Sequence, residues 1–210
     1  IFGGRTIDIL ITRLPIETLH QQLDEAHRLH PESTTLNDFR APETLVNHER
    51  SALNQARRII TPHRAIAAVF TNKTILLDWQ APTTELKKAH GTEILFPASA
   101  LGRKGAYLTK QLALELNLSL TVLGHAIERE GFWETIPITP FRGLEHVGVI
   151  VYPTTIEHQP RLLLKALAIG IPVITTPAAG LPESDLVTIV PINDYEALKT
   201  AFLNGTKKEQ

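Results

Sequence analysis

The 210 residues carry 43% hydrophobic and 20% charged side chains, enough apolar mass for a buried core, which excludes a disordered or low-complexity chain. Twenty-one basic against 22 acidic residues leave a net charge of −1, so no overall field selects nucleic acid or an anionic membrane as partner. Cysteine is absent, which excludes disulfides and thiolate metal sites, and Arg161 and Lys165 cut the longest apolar stretch short of the ~20 residues of a membrane span.

The chain opens on Ile1 and not on Met, and reads as a piece of a longer protein. No signal-peptide pattern stands at its start, so a cytoplasmic location is expected, with peripheral membrane attachment of the full-length protein left open. Residues 6–12 read as a strand. Pro15 and Ile16 then open a helix, because Ile16, Leu19, Leu23 and Ala26 recur at three and four, and Pro31 ends it. A polar loop spans 31–41, and Pro42 starts a second helix running to about residue 57. Glu49 falls on the apolar side of that helix, near Leu45, Ala52, Leu53 and Ala56, where a carboxylate needs an Arg or a backbone N–H as partner.

From Arg58 onward short apolar runs alternate with helical stretches. Strands are predicted at 59–61, 74–77, 93–97, 118–123, 147–152, 171–175 and 187–190, and helices at 62–70, 104–116, 160–169 and 194–203. Asn193 and Glu196 stand at capping-box spacing before the last helix. Strands rich in Val, Ile and Leu, separated by helices, predict an α/β fold with a Rossmann-like, doubly wound parallel sheet. Residues 205–210 read as a frayed tail. His20, His27 and His30 share a helix, but no carboxylate pattern or H-E-x-x-H accompanies them, so they read as a solvated face and no metal site is expected. No G-x-G-x-x-G follows a strand, which argues against a dinucleotide enzyme.

Ligands of such sheets bind beyond the carboxyl ends of the strands, so two loops matter most. The first, Pro97-Ala98-Ser99-Ala100-Leu101-Gly102-Arg103-Lys104-Gly105, has small residues and puts two cations at a helix N-terminus. Either a phosphate neutralises them or the loop is a solvated turn; both readings stay open. The second, Tyr152-Pro153-Thr154-Thr155-Ile156-Glu157-His158-Gln159-Pro160, ends in a proline suited to a first helical turn. Glu157 is its one acid, placed to brace the loop or to act on a ligand. The helix after it is apolar almost all round and should be packed on most sides, with Arg161 and Lys165 as its polar stripe.

Residues 152–175, Tyr-Pro-Thr-Thr-Ile-Glu157-His-Gln-Pro160-Arg161-Leu-Leu-Leu-Lys165 onward through Gly170-Ile-Pro172-Val-Ile-Thr, resemble the donor-site signature of retaining GT-B glycosyltransferases of family 4. Thr176-Pro-Ala-Ala-Gly180-Leu-Pro182-Glu183 resembles its continuation, Ile94 through Gly105 the first strand and phosphate loop of the donor domain, and Thr121-Val-Leu-Gly124 the next strand end. Ile59-Ile-Thr-Pro62 resembles the start of that domain, and the likeness covers about residues 50–204. It implies a donor-binding domain at 58–204, preceded at 1–57 by the end of an acceptor-binding domain and linker.

The resemblance also implies roles. Glu157 matches the first Glu of an E-x7-E motif and faces the donor sugar near the transfer centre. His158, Gln159 and Arg161 line sugar and phosphate. Lys104 neutralises the leaving diphosphate, with Arg103 beside it, and no obligatory metal or cofactor is implied. Two positions depart: Ser99 stands where the family carries Arg, and Lys165 where it carries the second Glu, whose hydrogen bonds to ribose an ammonium cannot accept. The expected function is transfer of a sugar from a nucleotide-diphosphate sugar to a glycan, lipid or small-molecule acceptor. The alternative is a non-catalytic nucleotide- or carbohydrate-binding module with a degenerate donor site.

Overall fold

The apolar runs assemble into two parallel sheets in the computed structural model, which describes residues 3–81 and 91–206. The smaller sheet holds β1 (Asp8–Leu10), β2 (Arg58–Thr61) and β3 (Thr74–Leu76), with β2 in the middle. Around it lie α1 (Ile16–Leu29), α2 (Glu43–Gln55) and α3 (Arg64–Val69). Leu19, Leu23 and Ala26 of α1 pack with Ile11, Leu14, Leu53 and Ile59, as their spacing predicts. Glu49 has both kinds of partner: it accepts from the Ile16 amide and pairs with Arg13 at 2.6 Å.

The larger sheet holds β4 (Glu93–Phe96), β5 (Leu120–Val122), β6 (Ile138–Pro140), β7 (Val147–Tyr152), β8 (Val173–Thr175) and β9 (Val187–Ile189). Its order is β6-β5-β4-β7-β8-β9 and every pair is parallel. Counted within this sheet the strands run 3-2-1-4-5-6, the doubly wound order. Helices α4 (Ala106–Glu115), α5 (Arg161–Ala168) and α6 (Tyr195–Thr206) cover it. Strand β7 shows why both faces need cover: Ile150 and Tyr152 pack with Leu163 and Ala166 of α5, while Val151 packs with Leu198 and Phe202 of α6. Among the described residues no helix is long and apolar enough to cross a membrane.

Several expectations are corrected. Residues 58–61 and 74–76, read as part of the larger domain, hydrogen-bond into the smaller sheet with β1, so the two sheets divide between Leu76 and Glu93. A four-residue apolar strand does not encode which sheet it joins; here Ile59 is drawn into the core of α1 and α2. The cap of α6 is Asp194, whose carboxylate accepts from the Ala197 amide at 2.9 Å, whereas Asn193 adopts φ 60°, the left-handed conformation, ahead of it. That helix runs to Thr206, through the first residues read as tail; 207–210 lie outside the described residues. In α5 only Leu163 and Ala166 are buried, so the helix is less enclosed than its apolar character suggests.

Candidate functional site

The strand order reverses between β4 and β7, and the loops leaving their carboxyl ends meet there. Residues Gly102–Lys104 form a 3-10 turn, and Gly105 follows at φ 82°, with an added Cβ falling 2.3 Å from the Pro153 carbonyl oxygen. Only glycine lets the two loops approach so closely. They are then stitched together: Thr155 and Ile156 donate their amides to the Arg103 carbonyl at 2.9 and 3.2 Å, and the Thr154 hydroxyl donates to the same oxygen at 3.2 Å.

Glu157 lies at the centre of this junction. One carboxylate oxygen accepts from Lys104 Nζ at 3.0 Å and from the Tyr152 hydroxyl; the other accepts from the amides of His158 and Gln159 at 2.8 and 3.0 Å. Lys104 also donates to the Ile156 carbonyl at 3.0 Å. Burial opposes ionisation of Glu157, but the Lys104 charge, the Tyr152 hydroxyl and the Gln159 amide together hold its carboxyl below the ordinary range. Burial, then the charge of Glu157, pushes the Tyr152 hydroxyl up, so it remains a donor. Burial and the nearby Lys104 hold His158 down, so its imidazole is neutral at neutral pH.

The remaining predicted residues divide into those that join this crevice and those that do not. Ser99 and Gly124 come together at the ends of β4 and β5: the Ser99 hydroxyl accepts from the His125 amide at 3.3 Å, and a Cβ on Gly124 would stand 2.3 Å from it. Arg103 turns its guanidinium over the Phe39 ring, 5.1 Å from the centroid, and the same ring meets His158 edge-on at 6.0 Å. Arg161 is hydrogen-bonded to Gln159 on the exposed start of α5. Lys165 is exposed one turn further and contacts none of the others.

Three residues of this region carried no predicted role. Tyr152 reads as a strand-end core residue, yet its hydroxyl reaches Glu157. Glu128, 2% exposed, accepts from the Ser33 and Thr35 hydroxyls, the Thr34 and Gly102 amides at 2.9 Å each, and the Tyr107 hydroxyl at 3.0 Å. It ties the 31–41 loop to the turn at Gly102, whose amide it shares with the Thr35 hydroxyl at 2.9 Å. His63 is fully buried against Gly180, donates Nε2–H to the Ala178 carbonyl at 3.1 Å, and has no partner for Nδ1 among the described residues. No sequence signal pointed to Glu128, because the Ser33, Thr34 and Thr35 donors that meet it lie 95, 94 and 93 residues away along the chain.

No family model matches the sequence, and no curated protein matches it. Solved structures do match the fold. The galactosyltransferase WaaB, of the lipopolysaccharide outer core, superposes at TM-score 0.59 with 11% identity, over 78% of this chain and 57% of that one. A mutant of S. aureus TarM, solved with fondaparinux, α-GlcNAc-glycerol and UDP, gives 0.58 with 10% identity over 84% and 42%. Sucrose-phosphate synthase from Thermosynechococcus elongatus gives 0.55 with 18% identity over 79% and 53%. The chain thus spans about half the length of these structures, and at such identities the likeness is one of fold. It has the Rossmann-like α/β architecture of the GT-B glycosyltransferases.

Proposed function

We propose that the chain is the donor-binding part of a retaining, family-4-like GT-B glycosyltransferase that holds a nucleotide-diphosphate sugar and passes the sugar to an acceptor in the cytoplasm. The observation that carries this reading is the Lys104–Glu157 contact, 3.0 Å long, at the carboxyl ends of β4 and β7 where the strand order reverses. Lys104 there supplies a fixed cation for the diphosphate leaving group, whose charge grows as the glycosidic bond breaks. Glu157 supplies a carboxylate for the positive charge that develops at the anomeric carbon. In the free protein each neutralises the other, so donor binding exchanges the Glu157 carboxylate for a phosphate on Lys104. His158, Gln159 and Arg161 lie along the same loop and line sugar and phosphate, and Ser99 and Gly124 form the opposite wall. Lys165, on the second turn of α5, meets a phosphate oxygen and not the ribose.

One observation favours the second reading, a non-catalytic binding module. Glu157 already has four donors, and the two motif departures remove the loop Arg and the ribose-binding carboxylate. Calorimetric titration with UDP, the nucleotide in the TarM complex, and with the other nucleoside diphosphates tests both. The transferase reading expects binding by at least one of them, and hydrolysis or transfer of the matching nucleotide-sugar by the full-length protein. Binding with no turnover of any sugar nucleotide supports the module, and silence from the whole panel at millimolar concentration contradicts the transferase and leaves only the carbohydrate-binding form of the module.

A further inference from the structure

Phe39 carries two costs in one residue. Its side chain is 54% exposed, and its backbone has φ 68°, the left-handed region that a bulky residue avoids. What holds it there belongs to the larger sheet's loops: the Arg103 guanidinium over the ring and the His158 ring at its edge. Contacts of this kind at exposed sites are weak. They fix the orientation of the phenyl group without removing it from water, and they place it against Arg103 and His158, the residues next in sequence to Lys104 and Glu157.

We propose that Phe39, Arg103 and His158 form an acceptor subsite for a pyranose, whose C–H face packs on the face of the Phe39 ring opposite Arg103 while its rim hydroxyls reach past the ring edge to His158 and Arg103. The proposal rests on the reading of the crevice as the donor site. The chemistry of the three side chains selects a sugar. A pyranose ring has one apolar face of C–H bonds and a rim of hydroxyls, and an exposed aromatic ring with Arg103 over one face, His158 at its edge and the other face for the sugar complements both. Arg103 makes no ion pair among the described residues and offers a fork of N–H donors. His158, neutral because of burial and Lys104, offers one donor and one acceptor. Position favours acceptor over nucleobase: His158 directly follows Glu157, so the plate adjoins the transfer centre, whereas a base lies a diphosphate away from the bond that breaks.

The test is ligand-observed saturation-transfer NMR on the chain with methyl α-D-glucopyranoside, methyl α-D-galactopyranoside and N-acetylglucosamine, alongside calorimetry with UDP. At least one saccharide is expected to bind. Phe39→Ala should weaken it roughly fivefold to tenfold, Phe39→Leu should behave like Ala because bulk without a π face is not enough, and Phe39→Trp should restore binding. UDP affinity should be the same in all four proteins, which also shows that each variant is folded. No saccharide binding by the unmodified chain, or equal binding by Phe39→Ala, overturns the proposal. So does a loss of UDP affinity in Phe39→Ala, which would make the ring a nucleobase platform. Failure of UDP to bind the unmodified chain would instead contradict the donor-site reading, since the saccharide signal is measured separately.

Discussion

Glu157 is a carboxylate with every acceptor site filled, and that sets what its removal does. Glu157→Gln leaves Lys104 without its charge partner and places an amide NH2 where donors converge, so unfolding free energy should fall by about 1–3 kcal/mol. The pH dependence has a definite sign. The folded-state carboxyl titrates below its ordinary 4.5, so its stabilisation is fully present above that value and is lost as pH falls through the depressed one. Urea denaturation between pH 6 and 3 should therefore show unmodified protein losing its advantage over Glu157→Gln in the acid range; parallel curves would mean the carboxylate is unpaired in solution. Position in the sequence left Glu157 as loop brace or ligand contact; its hydrogen bonds to the His158 and Gln159 amides show bracing, and the ligand contact is the proposal tested below. Tyr152 was not legible as a partner, because whether a strand-end hydroxyl reaches the loop depends on the pleat and the turn that follows.

At the scale of elements, the strands and helices were legible wherever an apolar run was long or periodic, as in β7, α1 and α4. Strand β6 was not: Ile138-Thr139-Pro140 is short, exposed and contains a proline, which is tolerated there only because β6 is the sheet edge. The 31–41 loop read as generic polar chain because its partner lies far away in sequence. Glu128 gives that loop its structure, and Glu128→Ala would remove the acceptor of the Thr34 amide and of three hydroxyls, leaving the Gly102 amide only the Thr35 hydroxyl at 2.9 Å, at a cost of at least about 2 kcal/mol. Hydrogen exchange should then rise at residues 33–36 and at Gly102 while amides of β7 keep their protection. Unchanged exchange at residues 33–36 would show that the Ser33, Thr34 and Thr35 contacts do not hold the loop.

In the whole molecule the two sheets are coupled through buried groups as well as through the chain. Ile156, from the loop after β7, is buried in the core of α1 and α2 beside Leu36, and the His63 ring rests on Gly180. At Gly180 an added Cβ would stand 2.4 Å from the His63 ring, and φ is 71°, so Gly180→Ala should destabilise by more than about 1 kcal/mol and loosen the smaller sheet against the larger. A single cooperative melting transition that splits into two in this variant is the expected calorimetric result; an unchanged transition would mean that the contact does not couple the sheets. The architecture was legible from the alternation of strand and helix, but the sheet to which β2 belongs was not, since that choice is made by packing across the molecule. The central claim is that the crevice between the β4 and β7 loops binds a nucleoside diphosphate through Lys104, released from Glu157. Its most direct test is the calorimetric affinity for UDP of the unmodified chain, Lys104→Ala and Glu157→Gln. The account predicts about tenfold or greater weakening in Lys104→Ala, from loss of one charge-assisted contact, and equal or tighter binding in Glu157→Gln, where the ammonium is free for phosphate. The same affinity in all three proteins, or no binding by any, would contradict it.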